Sequence, residues 1–266
     1  MMSQEEIARK YDADGYVLVR GLFTEEQMDR LEAEFDGIVE RRLKNRAQLD
    51  ATWDGEWKDA YGGTTILHTH DVQAYSAAWA MTLFHEPLTD AMAACLGSPN
   101  VQLHHTKLFQ KPRESGSGFP MHQDAPFFPH ERHSMMAAII HVSDADETMG
   151  CVRVVPGSHR PAQILPTVAG KNYLDPAAYP VEQAMACPAQ RGDVLLFNYL
   201  TIHGSGVNQS DKLRKTVLVQ VRDPEDTPTQ DVHRSHAQGL MLRGVHPLTG
   251  RAAADGTLDT GNAVVR

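Results

Sequence analysis

The chain has 266 residues, of which 34 are acidic and 25 basic, for a formal charge of −9. That length suits one large domain of sandwich or barrel type, and the acidic balance gives no global electrostatic reason to bind nucleic acid or an anionic membrane. Three widely spaced cysteines, a polar N-terminus and no apolar run near about 20 residues describe a cytoplasmic protein with reduced thiols.

In chain order, residues 4–13 read as a helix and Gly15 to Gly21 as a strand rich in β-formers. Thr24 and Gln27 have capping-box spacing. Met28, Leu31, Phe35, Ile38 and Val39 then recur at helical spacing, which predicts an amphipathic helix over about 25–44. The basic run Arg41 to Arg46 reads as a solvated face of that helix. Residues 45–65, with Trp53, Trp57 and Tyr61, read as a loop beside a pocket. His68 and His70, in Leu67-His68-Thr69-His70-Asp71, share a face if extended. They read as polar loop residues, with His68 also a pocket candidate. Residues 75–96 read as helical, broken near Pro87, and end in a turn at 97–100.

From Val101 the pattern changes to short strands: 101–110, the segment containing His122, the apolar run 135–142, 151–155, 194–197 and 213–221. Residues 111–118 read as a flexible connection. Residues 161–186 form a long excursion with the length of a lid or a tolerated insertion. The tail from Asp223 reads as weakly ordered or wrapped on the surface. Helices first and many short strands afterwards predict a mainly β sandwich or jelly roll with flanking helices. The expected single domain has a helical part (about 1–97), a jelly-roll core (about 98–222) and a tail (about 223–266).

The chemistry concentrates in Pro120-Met121-His122-Gln123-Asp124. On an extended strand, residues i and i+2 point to one face, so His122 and Asp124 could grip one metal ion. His203, in Ile202-His203-Gly204-Ser205-Gly206, supplies a second imidazole after a buried strand. Two histidines and one carboxylate form the facial triad of non-haem Fe(II) oxygenases, which leaves coordination positions open. Pro126-Phe127-Phe128 suits the wall of a dry site. Downstream, Arg214 and Thr216 share a strand face and offer a guanidinium fork with a hydroxyl, a receptor for the distal carboxylate of a 2-oxo acid.

His122-Gln123-Asp124, Val155-Pro156-Gly157-Ser158-His159, Gly192-Asp193, His203-Gly204-Ser205-Gly206 with Asn208 and Ser210, and Arg214-x-Thr216 together resemble the phytanoyl-CoA dioxygenase family, over roughly residues 5–225. The resemblance implies a double-stranded β-helix (cupin-like jelly roll), Fe(II), O2 and 2-oxoglutarate, with hydroxylation of a substrate coupled to release of succinate and CO2. It implies that His122, Asp124 and His203 hold iron and that Arg214, assisted by Thr216, binds 2-oxoglutarate. Lys107 falls on a strand position that lines the co-substrate pocket in relatives, where apolar residues are common. Two further departures are the lack of a lysine near Gly62 to Leu67 and Ile140 where some relatives place tryptophan. The intact carboxylate of Asp124 favours oxygenation over halogenation.

The substrate reads as a small molecule, with an anion favoured by Lys107, Lys111, Arg113, Arg132, Arg153 and Arg160 near the mouth. Phe109, Gln123, Phe127, Phe128 and His68 are the pocket candidates, with core packing the competing role for the aromatic rings. His130, His133, His233, His236 and His246 read as surface residues, and Met135-Met136 as core. Asp193 and the Ser158-His159 pair read as turn-forming. Two other functions fit the same ligands: a non-catalytic jelly-roll module with a structural or sensory metal, and a cupin-type zinc or manganese hydrolase or isomerase.

Overall fold

The computed structural model describes residues 2–44, 50–51, 66–112, 118–160 and 162–247. The tryptophans at 53 and 57, Tyr61, Arg46 and Arg113 lie outside the described residues. The helices are α1 (Gln4–Asp14), α2 (Glu25–Lys44), α3 (Ala77–Thr82) and α4 (Glu86–Leu96). The strands are β1 (Tyr16–Val19), β2 (Asp50–Ala51), β3 (Ile66–His70), β4 (Val101–Lys111), β5 (Phe119–His122), β6 (Met136–His141), β7 (Val152–Val154), β8 (Met185–Ala186), β9 (Val194–Asn198), β10 (His203–Ser205), β11 (Arg214–Arg222) and β12 (Met241–Arg243).

Local sequence accounts for the helical part. Thr24 and Gln27 form the expected reciprocal cap: the Gln27 amide donates to Thr24 Oγ1 and the Thr24 amide to Gln27 Oε1. All five apolar residues of the α2 stripe are buried. Pro87 lies in the first turn of α4, where its missing N–H costs no intrahelical bond, so it marks the start of a second helix.

The described strands form two antiparallel sheets. The larger runs β1-β9-β6-β11-β4-β3-β2, with β12 also on β4, and the smaller runs β5-β10-β7-β8. Alternation along the central strands decides what each face of the large sheet meets. Met136, Ala138, Ile140, Val194, Leu196, Val217 and Val219 pack in one cluster with Leu31, Phe35 and Leu88 of the helices. Their neighbours Ala137, Ile139, Leu195 and Phe197 point the other way and meet Val152 and Val154 of the small sheet. Thus the helices cover the outer face, and the inner face closes against the small sheet as a jelly roll does.

Three expectations change. Residues 66–70 form a paired strand and not a loop, because β4 offers them a ladder in which His68 lies opposite Phe109 and His70 opposite Lys107. The excursion is anchored: Leu174, Val181 and Ala184 are buried with Met121 and Ile202, and the Leu174 amide donates to Met121 O at 2.9 Å. It covers the outside of the β5–β10 ladder. The tail returns to the body through β12, which pairs with β4. The helical part, core and tail therefore share one large sheet, since β1 and β3 also belong to it. No helix among the described residues is long and apolar enough to cross a membrane.

Leu196 is fully buried between the large sheet and the helices. Leu196→Ala should cost about 2–5 kcal/mol of unfolding free energy, measured as a lowered urea midpoint with unchanged m-value.

Candidate metal centre

The centre begins with a strand register. In the β5–β10 ladder His122 lies directly opposite His203, and directly opposed residues on one face have Cβ atoms about 4.5–5.5 Å apart. Gly204 permits the close approach, for a Cβ there would sit 2.8 Å from Phe119 O. Each imidazole is oriented from behind. His122 Nδ1 lies 2.7 Å from Pro120 O, and His203 Nδ1 lies 2.9 Å from Thr201 O. A carbonyl only accepts, so both Nδ1 atoms carry the proton and both Nε2 lone pairs face inward.

Asp124 joins them by a different route from the expected strand alternation. β5 ends at His122, and Asp124 has helical backbone angles (φ −75°, ψ −25°) at the start of a 3-10 turn over Ala125–Phe127. The turn is held because the Asp124 and Ala125 amides both donate to Tyr199 O, at 2.9 and 3.2 Å. Asp124 Oδ1 then lies 3.7 Å from each Nε2. The three ligand atoms fall within 4.8 Å of one another. Burial keeps both imidazoles neutral, with pKa values pulled down to about 3 for His122 and about 4 for His203, and it raises that of Asp124. Two neutral imidazoles and one carboxylate on one side of an open cavity fit a divalent first-row metal with positions left over for other ligands.

That cavity has a volume of about 280 Å³ and lies between the two sheets. Phe109, Phe127 and Phe128 line it as expected. So do Lys107, Arg214 and Thr216. Arg214 is buried and donates from Nη1 to Gly150 O, while its Nε has no hydrogen-bond partner among the described residues. Gly150 has a left-handed φ of 66°, and a Cβ there would lie 2.5 Å from Gly206 O, so the residue type is fixed by the backbone that braces Arg214. Burial pulls the Arg214 pKa down to about 10, and the guanidinium stays charged at neutral pH.

Two pocket candidates lie elsewhere. Gln123 alternates away from the cavity: its Nε2 donates to Leu200 O and Gln163 O, and its Oε1 accepts from the Leu165 amide. It ties the excursion to the body. His68 sits on β3, edge-to-face with His70, outside the cavity wall. Three histidines expected at the surface are inside. His130 and His246 are buried, and His233 lines the cavity. His133 is half-buried against Tyr199, while His236 is exposed, as expected. Sequence reading also missed Ser205, which shares a strand face with His203 and lines the cavity, and Gln220, whose Nε2 lies 3.4 Å from Asp124 Oδ2. The i+2 spacing from His203 was the available signal for Ser205. No local signal marked Gln220 or His233.

Of the basic residues expected at the mouth, Lys107 lines the cavity and four others are engaged. Arg132 pairs with Glu225, Arg153 with Glu147 and Arg160 with Asp12. Lys111 is buried, with its ammonium on Ser205 Oγ and Gly206 O.

The model of the phytanoyl-CoA dioxygenase (PhyH) family matches residues 11–216, more than three-quarters of the chain. The chain belongs to that family. Peroxisomal phytanoyl-CoA dioxygenase of Rattus norvegicus is 26% identical over 224 residues, covering 78% of this chain and 64% of the rat protein. The probable alpha-ketoglutarate-dependent hypophosphite dioxygenase of Stutzerimonas stutzeri is 26% identical over 225 residues, 80% of this chain and 77% of that protein. Among solved structures, the epimerase SnoN in complex with Fe3+, alpha ketoglutarate and nogalamycin RO superposes with a TM-score of 0.70 at 22% identity, covering 90% of this chain and 98% of that one. EctD from S. alaskensis, with 2-oxoglutarate and 5-hydroxyectoine, superposes with a TM-score of 0.69 at 19% identity, covering 85% and 78%. These likenesses show the jelly-roll fold.

β4 carries two adjacent histidines, His104 and His105. A bulge sets Gln220 opposite His105 and Val221 opposite Leu103, so His104 is the extra residue. Both rings turn inward, with Nδ1 atoms 2.8 Å apart. Burial pulls the pKa of His104 down to about 2 and that of His105 well below the ordinary value; His141, also buried, is held near 4. These depressed values mean that the unfolded chain binds more protons than the folded one below about pH 6.5, so stability is complete above that pH and falls with acid. Each of these three buried groups contributes up to about 1.4 kcal/mol per pH unit. The urea midpoint should therefore drop between pH 6.5 and 5; a flat profile over that range would contradict the neutral, buried assignment.

Proposed function

We propose that this protein is an Fe(II)- and 2-oxoglutarate-dependent dioxygenase that hydroxylates a small molecule in the cytoplasm. The observation that carries this is one cavity holding both halves of the required site: the convergent His122, Asp124 and His203 donors, and the buried Arg214 with Thr216 on its wall. The balanced reaction takes substrate, 2-oxoglutarate and O2 to hydroxylated substrate, succinate and CO2. When bound, Fe(II) would supply the O2 activation that links the two oxidations.

The chain's own groups have separate tasks. His122 and His203 would hold the metal through Nε2, each kept in the right tautomer by its backbone carbonyl. Asp124 would complete the face, leaving no vacant position for a halide in its place. Arg214 would take the distal carboxylate of 2-oxoglutarate, with the hydroxyls of Thr216 and Ser205 beside it. Phe109, Phe127 and Phe128 would exclude water and strengthen each charged contact. A closed structural metal site would need a fourth ligand, and neither His68 nor His70 joins the donor group. That geometry favours the open, catalytic arrangement over the binding-module alternative.

Purified protein supplied with Fe(II), ascorbate, 2-oxoglutarate and O2 should release succinate. His122→Ala and Asp124→Ala should each reduce the rate to background. Arg214→Met should raise the apparent KM for 2-oxoglutarate about 10–100-fold, the worth of a charge-assisted hydrogen-bonded pair. Failure of the native protein to bind both a divalent metal and 2-oxoglutarate would overturn the reading.

A further inference from the structure

The cavity has a second cationic pole. On β11 the inward residues are Arg214, Thr216, Leu218 and Gln220, and the register sets Lys107 opposite Leu218 and His105 opposite Gln220. Lys107 therefore sits about 13 Å along the sheet from the Arg214 level, at roughly 3.3 Å per residue, and one inward step from the Gln220 that reaches Asp124. Its ammonium makes no hydrogen bond or ion pair among the described residues; it lies 5.4 Å from the centre of the Phe109 ring and within the field of Asp124. Asp124 is the single acidic residue lining the cavity among the described residues. If Asp124 binds metal, Lys107 is left without an acidic counter-ion.

The tail brings a second group to the same place. His233 lies on the segment between β11 and β12, with a left-handed φ of 57°, a conformation uncommon outside glycine and tolerated best by Asn, Asp and His. Its ring sits 4.4 Å from that of His105 and 5.3 Å from Phe128. Its Nε2 is buried with no hydrogen-bond partner among the described residues. An ammonium and an imidazole nitrogen, both unsatisfied and both on one wall, are costly unless a ligand completes them.

We infer that Lys107 and His233, backed by His105, form a receptor for an oxyanion group of the substrate, a carboxylate or a phosphonate, at the metal end of the cavity. The inference rests on the function proposed above, and charge supports it. A divalent metal, Arg214 and Lys107 exceed Asp124 and the two carboxylates of 2-oxoglutarate by one positive charge among the lining groups, which a monoanion would cancel. The cavity, about 280 Å³, is open on one side, and the receptor stands at its metal end. The substrate is an acid whose reacting carbon lies close to its charged group. The tail is then a specificity element, because it carries His233 into the cavity.

The test uses full-length protein loaded with Ni(II), which holds the site without turnover, first saturated with 2-oxoglutarate. Calorimetric titration follows with short and medium-chain carboxylates and alkylphosphonates, each against its neutral amide or ester. In the native protein at least one acid should bind about tenfold or more tightly than its neutral counterpart. The better of the two head groups identifies the anion. Lys107→Met should erase that preference, and His233→Ala should reduce it severalfold, while both keep 2-oxoglutarate affinity within about threefold. His233→Ala also serves if the lysine variant does not fold. No preference for the acid in any pair, including no binding, overturns the receptor. Loss of 2-oxoglutarate affinity in Lys107→Met with the acid preference intact overturns it too, by assigning Lys107 to the co-substrate. If native protein binds neither Ni(II) nor 2-oxoglutarate, the proposed function fails; acid and amide titrations of the metal-free protein then still decide whether the receptor exists.

Discussion

A single cross-strand pairing governs the centre: β5 and β10 must lie in the register that puts His122 opposite His203. A slip of one residue would turn one imidazole to the other face of the small sheet, since side chains alternate with period two. Several contacts hold that register. Gly204 lets the strands approach, the Leu174 amide bonds to Met121 O behind them, and Gln123 ties residues 163–165 to Leu200. The long excursion therefore serves the site from behind, as a brace on the strands that carry the ligands.

The same alternation divides the large sheet between stability and chemistry. Along β11, Val217, Val219 and Val221 pack against the helical layer, while Arg214, Thr216, Leu218 and Gln220 face the cavity. Along β6, Ile140 and Ala138 belong to the outer cluster and Ile139 and Ala137 to the inner one. Core packing thus fixes the backbone from which the polar inner residues project, and those residues need contribute little to stability themselves. The buried histidines of β4 and β6 work against it in acid, because each must stay neutral to remain inside.

The two ends of the cavity are built differently. At the Arg214 end a backbone carbonyl braces each of the two buried cations, Gly150 O for Arg214 and Gly206 O for Lys111, while Arg214 Nε has no partner among the described residues. At the metal end Lys107 and His233 lack such partners. A braced cation is held in place for its ligand, and groups left unpartnered suit a ligand that supplies the missing bonds. This contrast is consistent with an invariant co-substrate at one end and a distinguishing substrate at the other.

Much of this protein was determined by short-range pattern. The 3.6-residue stripe of α2, the capping pair Thr24 and Gln27, and the apolar strands 135–142 and 194–197 follow from local propensity and periodicity. His122, Asp124, His203, Arg214 and Thr216 were legible because the ligand types and their spacing are themselves the chemistry. Tertiary structure alone decided the rest. Gln123 points away because its side-chain amide is held by Leu200 O, Gln163 O and the Leu165 amide, and Asp124 reaches the centre through a turn held by Tyr199 O. His104 and His105 both face inward only because a bulge breaks the alternation. His233 enters the cavity because β12 returns the tail to β4, a pairing between residues more than 130 positions apart. Such contacts depend on where the chain is brought back, and no local stretch of sequence encodes that.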